Sequence, residues 1–179
     1  MKVYVENRSE QDLPLSRIEP LAEFVLVSEG IPANTELSIS FVGIDEMQSL
    51  NLMYRDCDCA TDVLSFEMDL PWDEDGSPED AWTDAEQILI GDVVINPNKA
   101  RENIVIDEVS FEEELWILLI HGILHLIGYE HDDDDDRILM EEKEDELFID
   151  WIRRTEKQDL TTGSVGSGSG DIDTQESEL

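Results

Sequence analysis

The spacing of apolar and polar positions changes several times along the chain. "KVYVEN" (2–7) alternates, the two-residue period of a half-buried strand. "LSRIEPLAEFVLVSEG" (15–30) instead puts Ile18, Leu21, Phe24 and Val25 on one helical face and stops at Gly30. "ELSISFVG" (36–43) returns to alternation, with Leu37, Ile39 and Phe41 together, and "IDEMQSLNLMYR" (44–55) returns to helical spacing. "TDVLSFEM" (61–68) reads as a third strand and "QILIGDVVINP" (87–97) as a fourth, ended by Pro97. The polar stretch "PWDEDGSPEDAWTDAE" (71–86) between them carries turn signals at Asp75-Gly76 and Ser77-Pro78. "NKARENI" (98–104) starts a short helix. Ser110 and Glu113 then form the S-x-x-E capping box of a long apolar helix over about 111–127. "RILMEEKEDELFIDWIRR" (137–154) predicts a last amphipathic helix with Ile138, Leu139, Leu147, Ile149 and Trp151 inward. These elements predict an α+β fold (an α/β sandwich): a mixed sheet of roughly four strands packed with helices around a long central helix. One domain is expected over 1–155, followed by a disordered acidic Gly/Ser-rich tail over 156–179.

Composition narrows the function classes. The chain has 179 residues and balances 11 Lys and Arg against 46 Asp and Glu, a formal net charge of -35. Acidity on that scale reflects solvation, as in salt-adapted proteins, more than a basic partner. Taken alone it argues against nucleic-acid binding, because phosphate contacts call for Lys and Arg. "MKVYVENRSEQ" has no apolar signal core, and no run approaches the roughly 18 apolar residues of a membrane span. Two cysteines, Cys57 and Cys59, make no disulfide framework; two free thiols in a reducing cytoplasm are expected.

All three histidines lie in "HGILHLIGYEH", at positions 121, 125 and 131. On a helix, residues i and i+4 share a face, so His121 and His125 point the same way. Gly128 can end the helix in a left-handed C-cap and turn the chain so that His131 rejoins them. Three neutral imidazoles converging in this way suit a zinc ion, one per chain, with its fourth position open. Nickel or copper would also accept imidazole ligands. The spacing and the glycine match the metzincin proteases, but Gly122 stands where those enzymes carry a glutamate as general base. A glycine cannot take a proton.

The same stretch resembles the H-G-x-L-H-L-x-G-Y-D-H signature of the YbeY family. "LNLMYRDCDCATDVLSF" is similar to that family's N-x-x-Y-R-x-x-D-x-x-T-D-V-L-S-F, and "IGDVVIN" to its L-G-D-I-V-I-S. The resemblance covers about residues 2–154. It implies a metal-dependent, single-strand-specific endoribonuclease of 16S rRNA 3′-end maturation and ribosome quality control. It further implies zinc on His121, His125 and His131, with Arg55 and His121 as catalytic residues. The implied partners are rRNA and the ribosome or its proteins, with neither DNA nor membrane.

This chain departs from the family in having Glu130 for the usual Asp, a carboxylate still able to orient a ligand imidazole. Cys57, Cys59 and Ala60 stand where members often carry Lys, Lys and Pro. Several residues read two ways. Arg55 is a phosphate clamp or a salt-bridge partner. Thr61, Asp62 and Ser65 line the cleft or start a strand, and Asp132 to Asp136 recruit a second cation or cap the last helix. Two further function classes stand beside the nuclease: a metzincin-like metallohydrolase acting on peptides, and a non-catalytic ribosome-associated zinc-binding module.

Overall fold

The computed structural model describes residues 1–68, 87–107, 109–131 and 133–163. Strands β1 (Lys2–Asn7), β2 (Thr35–Phe41), β3 (Val63–Glu67) and β4 (Ile88–Ile95) form one sheet in the order β1-β2-β4-β3. β1 and β2 pair in parallel, as do β2 and β4, while β3 runs antiparallel to β4. Helices α1 (Ile18–Ser28), α2 (Ile44–Arg55), α3 (Pro97–Asp107), α4 (Phe111–Leu126) and α5 (Asp134–Gly163) complete the described elements, with a 3-10 turn at Leu15–Arg17. This is the mixed α+β architecture that the alternating periods predict. The polar stretch 71–86 lies outside the described residues.

The inner strands explain their own composition. β2 and β4 are buried on the face toward α1 and α4, while their other face is covered only in part, with Leu89 39% exposed and Glu36, Ser38 and Asp92 half-buried. Leu37, Ile39, Phe41, Ile90, Val93 and Ile95 join the main core with α1, α4 and α5, whereas Leu64, Val94 and Val42 pack under Met47 of α2. α4 is apolar almost all round and is buried accordingly, from Leu115 to Leu126. Its start carries the predicted capping box, with Ser110 accepting from the Glu113 N–H and Glu113 accepting from the Ser110 N–H.

The last helix departs from its predicted face. Met140, Leu147 and Trp151 are buried, whereas Ile138, Leu139 and Ile149 are 48%, 59% and 47% exposed. The inward stripe runs 140, 144, 147, 151, a single helical face that places one half-buried carboxylate, Glu144, among buried apolar residues. α5 also continues through Gly163, past the expected domain boundary at 155. Of the expected tail, 164–179 lies outside the described residues.

Candidate metal centre

The centre is built at the C-terminal end of α4. Gly128 takes a left-handed conformation, φ 94°. Its N–H donates to the His125 carbonyl, and the Tyr129 N–H donates to the Leu124 carbonyl. That pair of bonds is the Schellman motif, which satisfies the last carbonyls and reverses the chain. His131 is thereby returned beside the helix, as the spacing predicts. The three rings gather with centroid separations of 4.6, 5.0 and 6.1 Å, and one ligand nitrogen from each lies within 4.8 Å of the others.

Two of the three unused nitrogens are already engaged. His121 Nδ1 donates to Glu144 Oε1 at 2.5 Å, and His125 Nδ1 donates to the Tyr129 carbonyl at 3.0 Å. Each bond puts the proton on Nδ1 and leaves the Nε2 lone pair for a ligand role; the two Nε2 atoms lie 3.1 Å apart. Tetrahedral zinc needs its nitrogens roughly 3.3 Å apart at ordinary zinc–nitrogen lengths. Burial, with the neighbouring His121 and His131, pushes the His125 imidazole below its usual range and keeps it neutral. The donor set therefore fits a zinc ion. Glu130 lines the cleft but is not the imidazole partner; Glu144 and the Tyr129 carbonyl are. The turn is tied down further by the Tyr129 hydroxyl, which donates to Glu29 at 2.8 Å, and by Lys143, 3.5 Å from the same carboxylate. Burial and that hydrogen bond push the Tyr129 phenol up to about 12.

Gly122, the position that separates this chain from metzincins, faces the sheet. A Cβ there would come within 2.6 Å of Val93 Cγ1, and the Ser65 hydroxyl donates to the Gly122 carbonyl at 3.0 Å. No glutamate side chain fits. Ser65 thus serves the packing of β3 on α4 as well as lining the cleft.

The facing wall is the end of α2 and the start of β3. α2 stops where Asp56 turns left-handed, φ 55°. Buried Asn51 donates to the Cys59 carbonyl and accepts from the Cys57 N–H, and Gln48 donates to Asp58. Cys57 and Cys59 are joined as a disulfide rather than being two free thiols, their Cα atoms 5.5 Å apart. Two cysteines one residue apart on a tight turn bring their sulfurs together, a proximity that composition alone does not convey. The turn aims Arg55 into an open cleft of about 640 Å³ lined also by Tyr54, Thr61, Asp62, Phe66, Glu67 and the three histidines.

Among the described residues Arg55 has no ion-pair partner; Arg101 and Arg154 have none either but lie over the Phe111 and Phe24 rings, whereas Lys2, Arg8, Lys99, Arg137, Lys143 and Arg153 each have at least one. Asp62 is engaged structurally, accepting from Thr61, from the Val63 N–H and from Asn103, which also donates to buried Glu114. Burial works against its charge, but those hydrogen bonds outweigh burial and hold the carboxyl below its usual range. Of the acidic run, Asp133 accepts the N–H groups of Asp135 and Asp136 as a cap at the start of α5, and Asp132 lies outside the described residues.

Glu144, Glu29 and Lys143 are the functional neighbours that sequence reading does not find. A carboxylate inside an apolar helical stripe is the available signal for Glu144.

Comparison with known proteins gives the family. A family profile described as Endoribonuclease YbeY matches residues 4–151. A Thermoanaerobacter sp. (strain X514) protein named Endoribonuclease YbeY is 37% identical over 152 residues, covering 83% of this chain and 96% of the relative. One of the same name from Clostridium botulinum (strain Eklund 17B / Type B) is 34% identical over 159 residues, covering 82% and 95%. The solution structure of TM1509 from Thermotoga maritima shares the fold, with a TM-score of 0.58, 23% identity and coverage of 93% of this chain and 99% of that one. With the profile spanning the sheet, the α2 turn and the histidine cluster alike, the chain belongs to the YbeY endoribonuclease family.

Proposed function

We propose that the protein is a zinc-dependent endoribonuclease that cuts single-stranded RNA. Its place is in 16S rRNA 3′-end maturation and ribosome quality control in the cytoplasm. The family supports the nuclease activity. The observation that carries the site assignment is Arg55, unpaired among the described residues of a chain with 46 acids, facing three imidazoles in one cleft. His121, His125 and His131 would hold the zinc, with Glu144 and the Tyr129 carbonyl keeping two of the rings in the ligand tautomer. Once bound, zinc supplies Lewis acidity toward a phosphoryl oxygen. Arg55 offers a planar fork of N–H donors that grips two phosphate oxygens and counters the charge gathering there during cleavage. Protein contacts with the ribosome, rather than phosphate contacts alone, suit so acidic a chain, and no helix among the described residues is long and apolar enough to cross a membrane. The peptide-hydrolase alternative lacks its base, because the Gly122 position has no room for one.

The test is single-turnover cleavage of single-stranded RNA at saturating protein, so that weaker binding does not pass for slower chemistry. Arg55→Ala should slow cleavage on the order of 10² to 10³-fold, about 3 to 4 kcal/mol, with zinc content and melting unchanged. Arg55→Lys should recover only part of that, because a point charge lacks the fork. Arg153→Ala, which breaks an exposed pair on α5, is the control. Cleavage by Arg55→Ala at the parental rate would leave Arg55 outside the chemistry.

A further inference from the structure

We propose that Tyr54, buttressed by Phe66, is a stacking shelf for one unpaired nucleobase whose phosphate sits on Arg55. On this reading, stacking rather than phosphate neutralisation carries most of the RNA affinity. The proposal rests on the RNA reading above and names how that substrate is gripped.

Three observations converge on it. Tyr54 is 58% exposed yet lines the cleft, and its ring meets that of Phe66 edge to face, centroids 4.8 Å apart at 65°. An aromatic ring held by a second ring is rigid enough to receive a base at small entropic cost. Tyr54 also directly precedes Arg55 on the last turn of α2, so a base and the phosphate beside it have adjacent receivers.

The third observation is charge. Arg55 is the one cation among the described lining residues, against Asp62, Glu67 and Glu130. The stretch 69–86 contains no Lys or Arg, so it cannot add one. With zinc bound, a polyanion entering this cleft meets one arginine and one metal ion against several carboxylates. With so few cationic contacts, most of the affinity is assigned to a contact that is not ionic, and every base has a face to stack.

The proposal predicts a shallow salt dependence. For single strands the slope of log affinity on log salt is about -0.7 per phosphate neutralised, so Arg55 alone gives about -0.7 and Arg55 with a zinc-bound phosphate about -1.4. The experiment uses the full chain with added zinc and a short single-stranded 2′-O-methyl oligoribonucleotide, which resists cleavage, carrying one 2-aminopurine at each position in turn. At one position the parent should quench the 2-aminopurine, and an abasic residue there should weaken binding on the order of 10- to 100-fold. Tyr54→Trp should keep the quench. Tyr54→Leu, apolar but without a π face and at an exposed position, should fold and retain zinc yet lose both quench and affinity to a similar extent, with the salt slope unchanged. Arg55→Ala should flatten the slope and keep the quench.

If Tyr54→Leu binds and quenches as the parent does while RNA is still cleaved, the shelf is wrong and the nuclease reading stands. A slope of several units would likewise overturn it, since phosphate contacts would then carry binding. If the parent neither binds the oligonucleotide nor cleaves RNA, the nuclease reading fails first and the shelf falls with it.

Discussion

α4 and α2 both end in a left-handed residue, Gly128 at φ 94° and Asp56 at φ 55°, and the side chains beside both turns line one cleft. The surroundings of the two turns differ. Beyond Gly128 the groups are bonded to one another: His121 to Glu144, His125 to the Tyr129 carbonyl, Tyr129 to Glu29 and Glu29 to Lys143. Beside Asp56 the backbone is pinned by Asn51, but Arg55 and Tyr54 are left exposed, without an ion pair for the arginine among the described residues. A metal centre needs its ligands preorganised before the ion arrives. A substrate-gripping end needs its donors uncommitted, since a guanidinium already paired with a carboxylate would have to give that pair up to take a phosphate. One wall of the cleft is largely bonded within the protein; on the proposed reading the other is completed by the RNA.

The largest break in this comparison comes from removing a ligand. His125→Ala should lose bound zinc altogether, as elemental analysis of the purified protein would show, while Arg55→Ala should keep a full equivalent. Full zinc occupancy in His125→Ala would mean that the three imidazoles are not the ligand set.

A smaller effect is expected one bond further out. Glu144→Gln keeps the shape but weakens the acceptor for His121 Nδ1, and zinc affinity should fall about 10- to 100-fold. Competition against a chromophoric chelator measures it directly. An unchanged affinity would show that Glu144 only packs in its helical stripe.

The smallest effect contrasts the two turns themselves. Nothing lies within 4 Å of a Cβ built on Gly128, so Gly128→Ala should meet no clash and cost only the strain of a left-handed alanine, about 1 to 2 kcal/mol of stability. Asp56→Gly relieves the same conformation at the other end but loosens the unfolded chain, and should stay within about 0.5 kcal/mol of the parent. Thermal melts of both variants settle the pair; equal losses would mean that the two turns carry equal strain.

Much of the fold and of the metal centre is legible in local pattern. Alternation over 2–7 and 36–43, the Ser110–Glu113 box and the glycine after "HLI" each state a requirement that a few consecutive residues meet by themselves. The histidine spacing belongs to the same class, because helical periodicity and one left-handed residue suffice to gather the rings. The last helix differs from its expected face for the opposite reason. A helix rich in apolar residues offers more than one candidate stripe, and only the neighbours already in place select 140, 147 and 151 over 138, 139 and 149.

The sequence by itself determined the set of elements, the histidine cluster and the family. Tertiary structure alone decided who faces whom: Glu144 reaching a histidine 23 positions away, Tyr129 finding Glu29 across 100 positions, and Arg55 set opposite the imidazoles with no carboxylate claiming it among the described residues. The physical reason is range. Periodicity, capping and backbone handedness act within a turn or two of chain, whereas the pairing of charges across a cleft depends on how whole helices settle on the sheet.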